Sequence, residues 1–438
     1  MTIAPQDSPL LRDLFADAEV ARLFSDTAAV RAMLIVEGTL AKVQGDAGMI
    51  PADAAAYLHR AAMEVQIDPA GLAPATAQNG VCVPALVAAF RKEAQAPEFT
   101  QYLHWGATSQ DIIDTGLALR LRQVLTLIET RLDALLIALA DLATAWAETP
   151  MVARTYGQPA TVTTLGAQVA SWGTGLLSVR DDLAPLREAV LMVTLNGAAG
   201  TLSAMGPEGP AIRAELAKAL GLRNPGHSPH ADRAHIQALS AWCNRLLQAA
   251  AKMAGDLLLL TRDGTVRLDA GGASSTMPQK ANPVAPSVVR ALAAHGAGHA
   301  AALSMIPAAD ARDGAAWFTE WLSLPPLLAA TARSLTLLRE TSDPDHTGIT
   351  LGSPAAFPGG EDPSGLIHAE AVTFALAQTM PRPEAQAQVK AWTAQVRATG
   401  VSLLDLAGVD PDAFRPNRQW GEAPDLARRF AARVRGTE

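Results

Sequence analysis

Cysteine is nearly absent from this chain of 438 residues: there are 2, Cys82 and Cys243. That is too few for a disulfide framework, and the two are too far apart for a metal knuckle. Aromatic residues are also scarce, with 3 Tyr, 9 Phe and 8 Trp. Sheets draw heavily on aromatic and β-branched residues, so the shortage favours closely packed helices rich in Ala and Leu. Positive charge is in deficit, with 35 Lys and Arg against 43 Asp and Glu and a net charge of −8. This argues against nucleic acid as a partner. It leaves room for an anionic substrate, which needs only local cations. No uninterrupted apolar run approaches the ~20 residues of a membrane span, so no membrane partner is expected. The N-terminal stretch MTIAPQDSPLLRDLFADAEV has no basic region followed by an apolar one. No signal peptide is therefore expected, and a soluble cytoplasmic protein is.

Apolar residues make up 49% of the chain and charged ones 18%, enough to bury a large core. The length predicts two or three domains. Short helical patterns occupy the first part, with a helix capped by Asp26 and running through Lys42, another over 52–65 and a third over 84–95. Residues 68–84 read as a loop. Long apolar stripes follow. Leu117, Leu121, Val124, Ile128, Leu132, Leu135, Leu139 and Leu142 recur every three or four residues. So do Leu165, Val169, Trp172, Leu176, Val179, Leu183 and Leu186. A third stripe runs from Ile236 to Leu260, residues 284–303 are Ala-rich and helical, and a last stripe runs from Trp317 to Leu338. This period belongs to α-helices, and the runs are too long for strands. The fold class is therefore all-α, with a central bundle of long helices. Stripes of this length also suggest packing against other subunits. Residues 341–365, rich in Gly, Pro and Asp, mark a boundary before shorter helices at 366–379, 383–398 and 422–435. The expected division is 1–110, 111–340 and 341–438.

Three polar islands interrupt the pattern. The first, His104 to Asp111, places Thr108, Ser109 and Gln110 before a long helix, where free N–H groups and the positive dipole end favour anions. An ordinary N-cap by Thr108 or Ser109, with Asp111 in the first turn, explains the same residues. The second, RTYGQPA from Arg154 to Ala160, offers an arginine, a threonine and a glutamine that can grip a carboxylate. A plain helix connection is the alternative. The third, residues 268–289, is LDAGGASSTMPQKANPVAPSVV. Its glycines allow close backbone approach to a ligand, two hydroxyls stand at Ser274 and Ser275, and Lys280 and Asn282 follow. By composition alone it reads equally as a linker. His295 and His299 have metal-ligand spacing without an obvious third ligand. His227, His230 and His235 cluster with Arg233 in a loop before a helix.

The islands, in this order, resemble the fumarase/aspartase superfamily. Ser274-Ser275-Thr276-Met277-Pro278-Gln279-Lys280-Ala281-Asn282-Pro283 matches its most specific pattern, and the likeness runs from about Ser8 to Ala407. Within the superfamily the segments HWGATSQDIIDTGLALRLR, RTYGQPATVTTLGAQVASW and GLIHAEAVTFALA resemble the bacterial 3-carboxy-cis,cis-muconate cycloisomerases. Tyr156 stands where the lyases usually have histidine and the cycloisomerases tryptophan. Ser287 replaces a usual glutamate, Ala311 a usual acidic residue before Arg312, and the insertion at 350–363 is atypical.

The resemblance implies three mostly helical domains in a homotetramer whose core is a shared bundle, with each active site built from three subunits. It implies a small polycarboxylate substrate, lactonised through an aci-carboxylate intermediate, with Ser274 as the proton-transfer base. A serine oxyanion needs strong stabilisation, for which Lys280 and loop N–H groups are available. Preorganised donors should dominate the rate effect. The substrate-binding candidates are Thr108, Ser109, Gln110, Arg154, Thr155, Gln158, Met277, Asn282 and Arg312, with His230 and Arg233 closing over a carboxylate. The attacking nucleophile belongs to the substrate, so no metal or cofactor is required. A C–N lyase like adenylosuccinate lyase, or an inactive scaffold, are the competing readings.

Overall fold

A stripe of apolar residues makes a helix stable only when something covers it, and here the stripes are covered. The computed structural model describes residues 4–268, 272–273, 277, 280–305, 308–343, 348–352 and 362–437. In chain order the principal helices begin with α1 (Asp26–Asp46), α2 (Ala52–Glu64), α3 (Val83–Ala94) and α4 (Ser109–Ala145). The strands β1 (Pro150–Thr155) and β2 (Gln158–Thr164) follow, then α5 (Leu165–Asp181), α6 (Gly209–Leu220) and α7 (Ala234–Arg262). Three short strands, β3 (Val266–Leu268), β4 (Gly272–Ala273) and β5 (Ala281–Asn282), precede α8 (Val284–Met305) and α9 (Gly314–Thr341). The chain closes with β6 (Ile349–Leu351), α10 (Ala369–Leu376), α11 (Arg382–Thr399) and α12 (Ala423–Arg435). No described helix is long and apolar enough to cross a membrane.

Every residue of the α4 stripe from Leu117 to Leu142 is buried, as are those from Leu165 to Leu186 and from Ile236 to Leu260. Each fully buried leucine contributes about 1.5–3 kcal/mol against exposure. Some boundaries differ from expectation. Ser25, not Asp26, caps α1, its Oγ accepting the Ala28 N–H at 3.2 Å. The second stripe is broken at Asp182, which separates α5 from a short helix over Leu183–Val190. Residues 68–84 are not all loop: Pro69–Leu72 is a 3-10 turn and Ala73–Asn79 a helix. Helix α9 continues through Pro325 and Pro326, and within its stripe Trp321 stays partly exposed.

The chain divides into two compact units. The first gathers Met1–Thr130, Val179–Gln248 and Ala291–Ser334. In it α1 and α2 pack at close range because small residues face each other. A β-carbon at Gly38 would stand 2.6 Å from the Ala62 methyl, and one at Gly45 2.2 Å from that of Ala55. Val36, Leu40, Leu58, Leu86, Phe90 and Ile112 lie in the core of this unit.

The second unit gathers Arg131–Ser178, Ala249–Arg290 and Leu335–Glu438. It holds the antiparallel β1–β2 hairpin, whose Val152 and Val162 pack with Ile367. It also holds the antiparallel β3–β6 and β4–β5 pairs. Val372, Val389, Val396, Leu403 and Phe414 form a small core among its C-terminal helices.

Candidate active site

Helix α4 starts from a turn in which His104 has a φ of 65° and Gly106 one of 71°. The left-handed region is costly for a residue with a β-carbon, so the surroundings must hold His104 there. They do so through Glu37 on α1, whose buried Oε1 lies 2.6 Å from His104 Nδ1. Burial pulls the imidazole pKa down, but the Glu37 charge and hydrogen bond outweigh it, and the net shift is upward. The His104–Glu37 pair was not singled out from the sequence. Glu37 lay hidden on the apolar face of α1, where a buried carboxylate is itself the signal that a partner exists.

Asp111 Oδ2 accepts the Thr108 N–H at 3.0 Å, the returning half of a capping box. The ordinary cap reading of Asp111 therefore holds, yet the carboxylate does more. It also accepts the backbone N–H groups of Asn196 and Gly197, each at 2.9 Å, and faces His230 Nε2 at 2.8 Å. Because a carboxylate oxygen accepts, Nε2 carries the proton. His230 Nδ1 is buried without a hydrogen-bond partner.

One turn further, Asp114 Oδ2 accepts from Arg233 at 2.5 Å and from Gln110 Nε2 at 3.2 Å, and its Oδ1 from Trp317 Nε1 at 3.1 Å. The other edge of the Arg233 guanidinium meets Glu320 through two bonds of 2.8 and 2.5 Å. Burial opposes charge on these groups and raises the Glu320 carboxyl. For Arg233 burial is outweighed by the two carboxylates, which hold it firmly protonated. Gln110 is 1% exposed and gives its second N–H bond to the His230 carbonyl at 3.0 Å.

Three of the substrate-binding candidates carry structural bonds. Gln110, His230 and Arg233 are buried, and their donors are committed to Asp111, Asp114, Glu320 and the His230 carbonyl. They fix the first turn of α4. What that turn presents is Thr108, Ser109 and Arg312. Arg312 has a φ of 62°, and its Nη1 donates to Thr108 Oγ1 at 2.7 Å. The neighbouring Asp313 anchors it by accepting the N–H groups of Ala309, Ala315 and Ala316, which hold its carboxyl below the usual range. A guanidinium, a hydroxyl and a helix N-terminus here converge on one patch suited to an anion.

In the second unit, residues 154–160 are not a bare helix connection. They form the tip of the β1–β2 hairpin, with Thr155 opposite Gln158. Tyr156 and Gly157 make the two-residue turn, with φ of 50° and 71°. Positive φ at both positions is the signature of a type I′ hairpin turn. Thr155 and Gln158 point exposed side chains outward, and Tyr156 is wholly exposed. Arg154 pairs with Asp263 at 3.1 Å. The signal available beforehand was the β-branched run TVTT after a Tyr-Gly dipeptide.

The third island also folds back on itself: Gly272 pairs with Asn282 and Ala273 with Ala281. The Lys280 N–H donates to the Met277 carbonyl at 3.0 Å, and both side chains are exposed. Ser274 and Ser275 lie outside the described residues, as does most of the insertion at 350–363. His295 and His299 touch edge to face with centroids 4.6 Å apart, and no group of three metal-ligating side chains exists among the described residues.

Comparison with known proteins places this geometry in context. Residues 7–298 match the family model described as Lyase. The 3-carboxy-cis,cis-muconate cycloisomerase of Pseudomonas aeruginosa is 35% identical over 384 residues, 85% of this chain and 82% of the relative. That of Bradyrhizobium diazoefficiens is 31% identical over 411 residues, covering 92% and 90%. The crystal structure of the 3-carboxy-cis,cis-muconate lactonizing enzyme from Pseudomonas putida superposes with a TM-score of 0.89 at 29% identity, covering 98% of this chain and all of that one. With its three islands on this all-α scaffold, the chain belongs to the lyase family of the fumarase/aspartase superfamily.

Proposed function

We propose that this chain lactonises a carboxylated muconate, 3-carboxy-cis,cis-muconate, to the carboxymuconolactone. One substrate carboxylate attacks the ring-forming carbon. Electrons move into a second carboxylate to give an aci-carboxylate, and a proton is delivered to the adjacent carbon. The likeness to named cycloisomerases over most of the chain supports the reading. The observation that carries it is the docking of Arg312 on Thr108 at the N-terminus of α4, a patch suited to a carboxylate. Ser274 transfers the proton and Lys280 stabilises its anion. Thr108, Ser109 and Arg312 hold one carboxylate. Arg154, Thr155 and Gln158 grip another, and Met277 and Asn282 line the loop. His104, whose pKa the Glu37 carboxylate raises, stands at the same turn.

The substrate is a small polycarboxylate, and the working form is a cytoplasmic homotetramer whose subunits divide at 1–110, 111–340 and 341–438, as the superfamily resemblance implies. Loss of diene absorbance on adding enzyme to 3-carboxy-cis,cis-muconate tests the reaction. No loss, with fumarate released from adenylosuccinate, would replace it by the C–N lyase. Ser274→Ala should lower turnover by about 10²–10⁴. Full turnover in that variant would remove Ser274 from the mechanism.

A further inference from the structure

The first unit contains a cavity of about 290 Å³ between the start of α1, the first third of α4 and the first half of α9. Its wall is largely apolar, with Met33, Ile113, Leu117 and Leu324 and the rings of Phe24 and Trp321. Ile113, Leu117 and Arg120 are spaced four and three apart, so α4 turns one face toward it. Arg120 brings a guanidinium into this wall. Its Nε is buried without a hydrogen-bond partner, and its guanidinium carbon lies 5.2 Å from the centre of the Phe24 ring. Burial pulls its pKa down to about 10, with only the Cys82 thiol opposing. The group is still charged at neutral pH.

Arg120 is half-buried, and its buried Nε–H, with no carboxylate beside it, lacks the acceptor that such a donor normally has. The other charged groups on the wall do not supply it. Glu320 is committed to Arg233, and neither it nor Asp26 forms an ion pair with Arg120. These two carboxylates disfavour each negative charge an occupant carries, and the single free cation among the described wall residues offsets only one. The volume sets the body of the occupant. An empty cavity of about 150 Å³ accepts a benzene ring, so this one holds a substituted ring.

We propose that this cavity is a binding site for a small aromatic monocarboxylate, with the carboxylate on Arg120 and the ring among the apolar side chains. It is distinct from the site that takes the polycarboxylate: it offers one cation, not several, and it rejects polyanions. The inference does not depend on which reaction the enzyme catalyses.

The probe is 4-fluorobenzoate, followed by fluorine NMR on the full chain, with tricarballylate as a competitor confined to polyanion sites. Saturable binding that survives excess tricarballylate is expected. Arg120→Met should weaken it by about tenfold or more, through loss of a charge-assisted bond. Ala29→Trp, which fills the cavity from α1, should do the same with Arg120 intact. Far-ultraviolet circular dichroism identifies the variant that folds, and either one suffices. Absence of saturable binding, displacement by tricarballylate, or unchanged affinity in the folded variant would overturn the proposal.

Discussion

The first turn of α4 and the tip of the β1–β2 hairpin carry the same kinds of side chain in opposite states. Each gathers a threonine, a glutamine and an arginine, the arginine of the first being Arg233, which docks on the turn from the start of α7. Gln110 is 1% exposed and donates two hydrogen bonds, whereas Gln158 is exposed and its side chain donates none to the described residues. Arg233 is clamped between two buried carboxylates, whereas Arg154 meets Asp263 near solvent. Residue type therefore does not distinguish a group that builds a site from one that is free to bind at it. Commitment of the donors does. A glutamine whose N–H groups are already used has no donor left for an anion, and one facing water has both.

The arginines test this contrast most severely. Arg233→Met strands Asp114 and Glu320 in the core and should cost about 3–5 kcal/mol in denaturant unfolding. Arg154→Met removes a solvent-screened pair and should cost under about 1 kcal/mol. Equal losses would erase the distinction between the two regions.

The glutamines should separate by less. Gln110→Ala leaves two buried acceptors short of a donor, a loss of about 1–3 kcal/mol. Gln158→Ala should stay within about 0.5 kcal/mol in stability while raising KM for the polycarboxylate. A KM unaffected by Gln158→Ala would take the hairpin tip out of substrate binding.

At the same tip, Tyr156→Asn places a residue tolerant of positive φ in a type I′ turn. A gain of up to about 1 kcal/mol is expected. Unchanged or reduced stability in that variant would mean that the turn carries no strain at this position.

The smallest effect is a slope. Glu37 raises the His104 pKa in the folded state above its unfolded value. The resulting stability is fully present below about pH 6.5 and is lost as pH rises through the raised folded pKa. The melting-temperature difference between wild type and Glu37→Gln should shrink over that window. A difference independent of pH would show that His104 does not titrate against Glu37.

Much of the scaffold was legible in advance. The stripes from Leu117 to Leu142 and from Ile236 to Leu260 mark helices that are present and buried face first. The loop motif from Ser274 to Pro283 pointed to the superfamily, and the family match bears that out. The hairpin at 150–164 was missed because strand signals over so few residues are weak beside long helical runs, and Tyr156 is an unusual resident of a left-handed turn. The bonds that Gln110, His230 and Arg233 make were not legible because their partners lie far off in sequence. Asp111 and His230 are separated by 119 positions, and Arg233 and Glu320 by 87.

Periodicity along the chain determines which residues are helical and which face turns inward, since both follow from a repeat set by local geometry. The chemistry of the polar islands depends on which carboxylate meets which donor. Those pairings join residues far apart in sequence, and each side chain's charge, tautomer and availability is set only when folding removes it from water and gives it a neighbour. Tertiary structure alone made Asp111 an anchor, Arg233 a strut and Arg120 an unpaired cation.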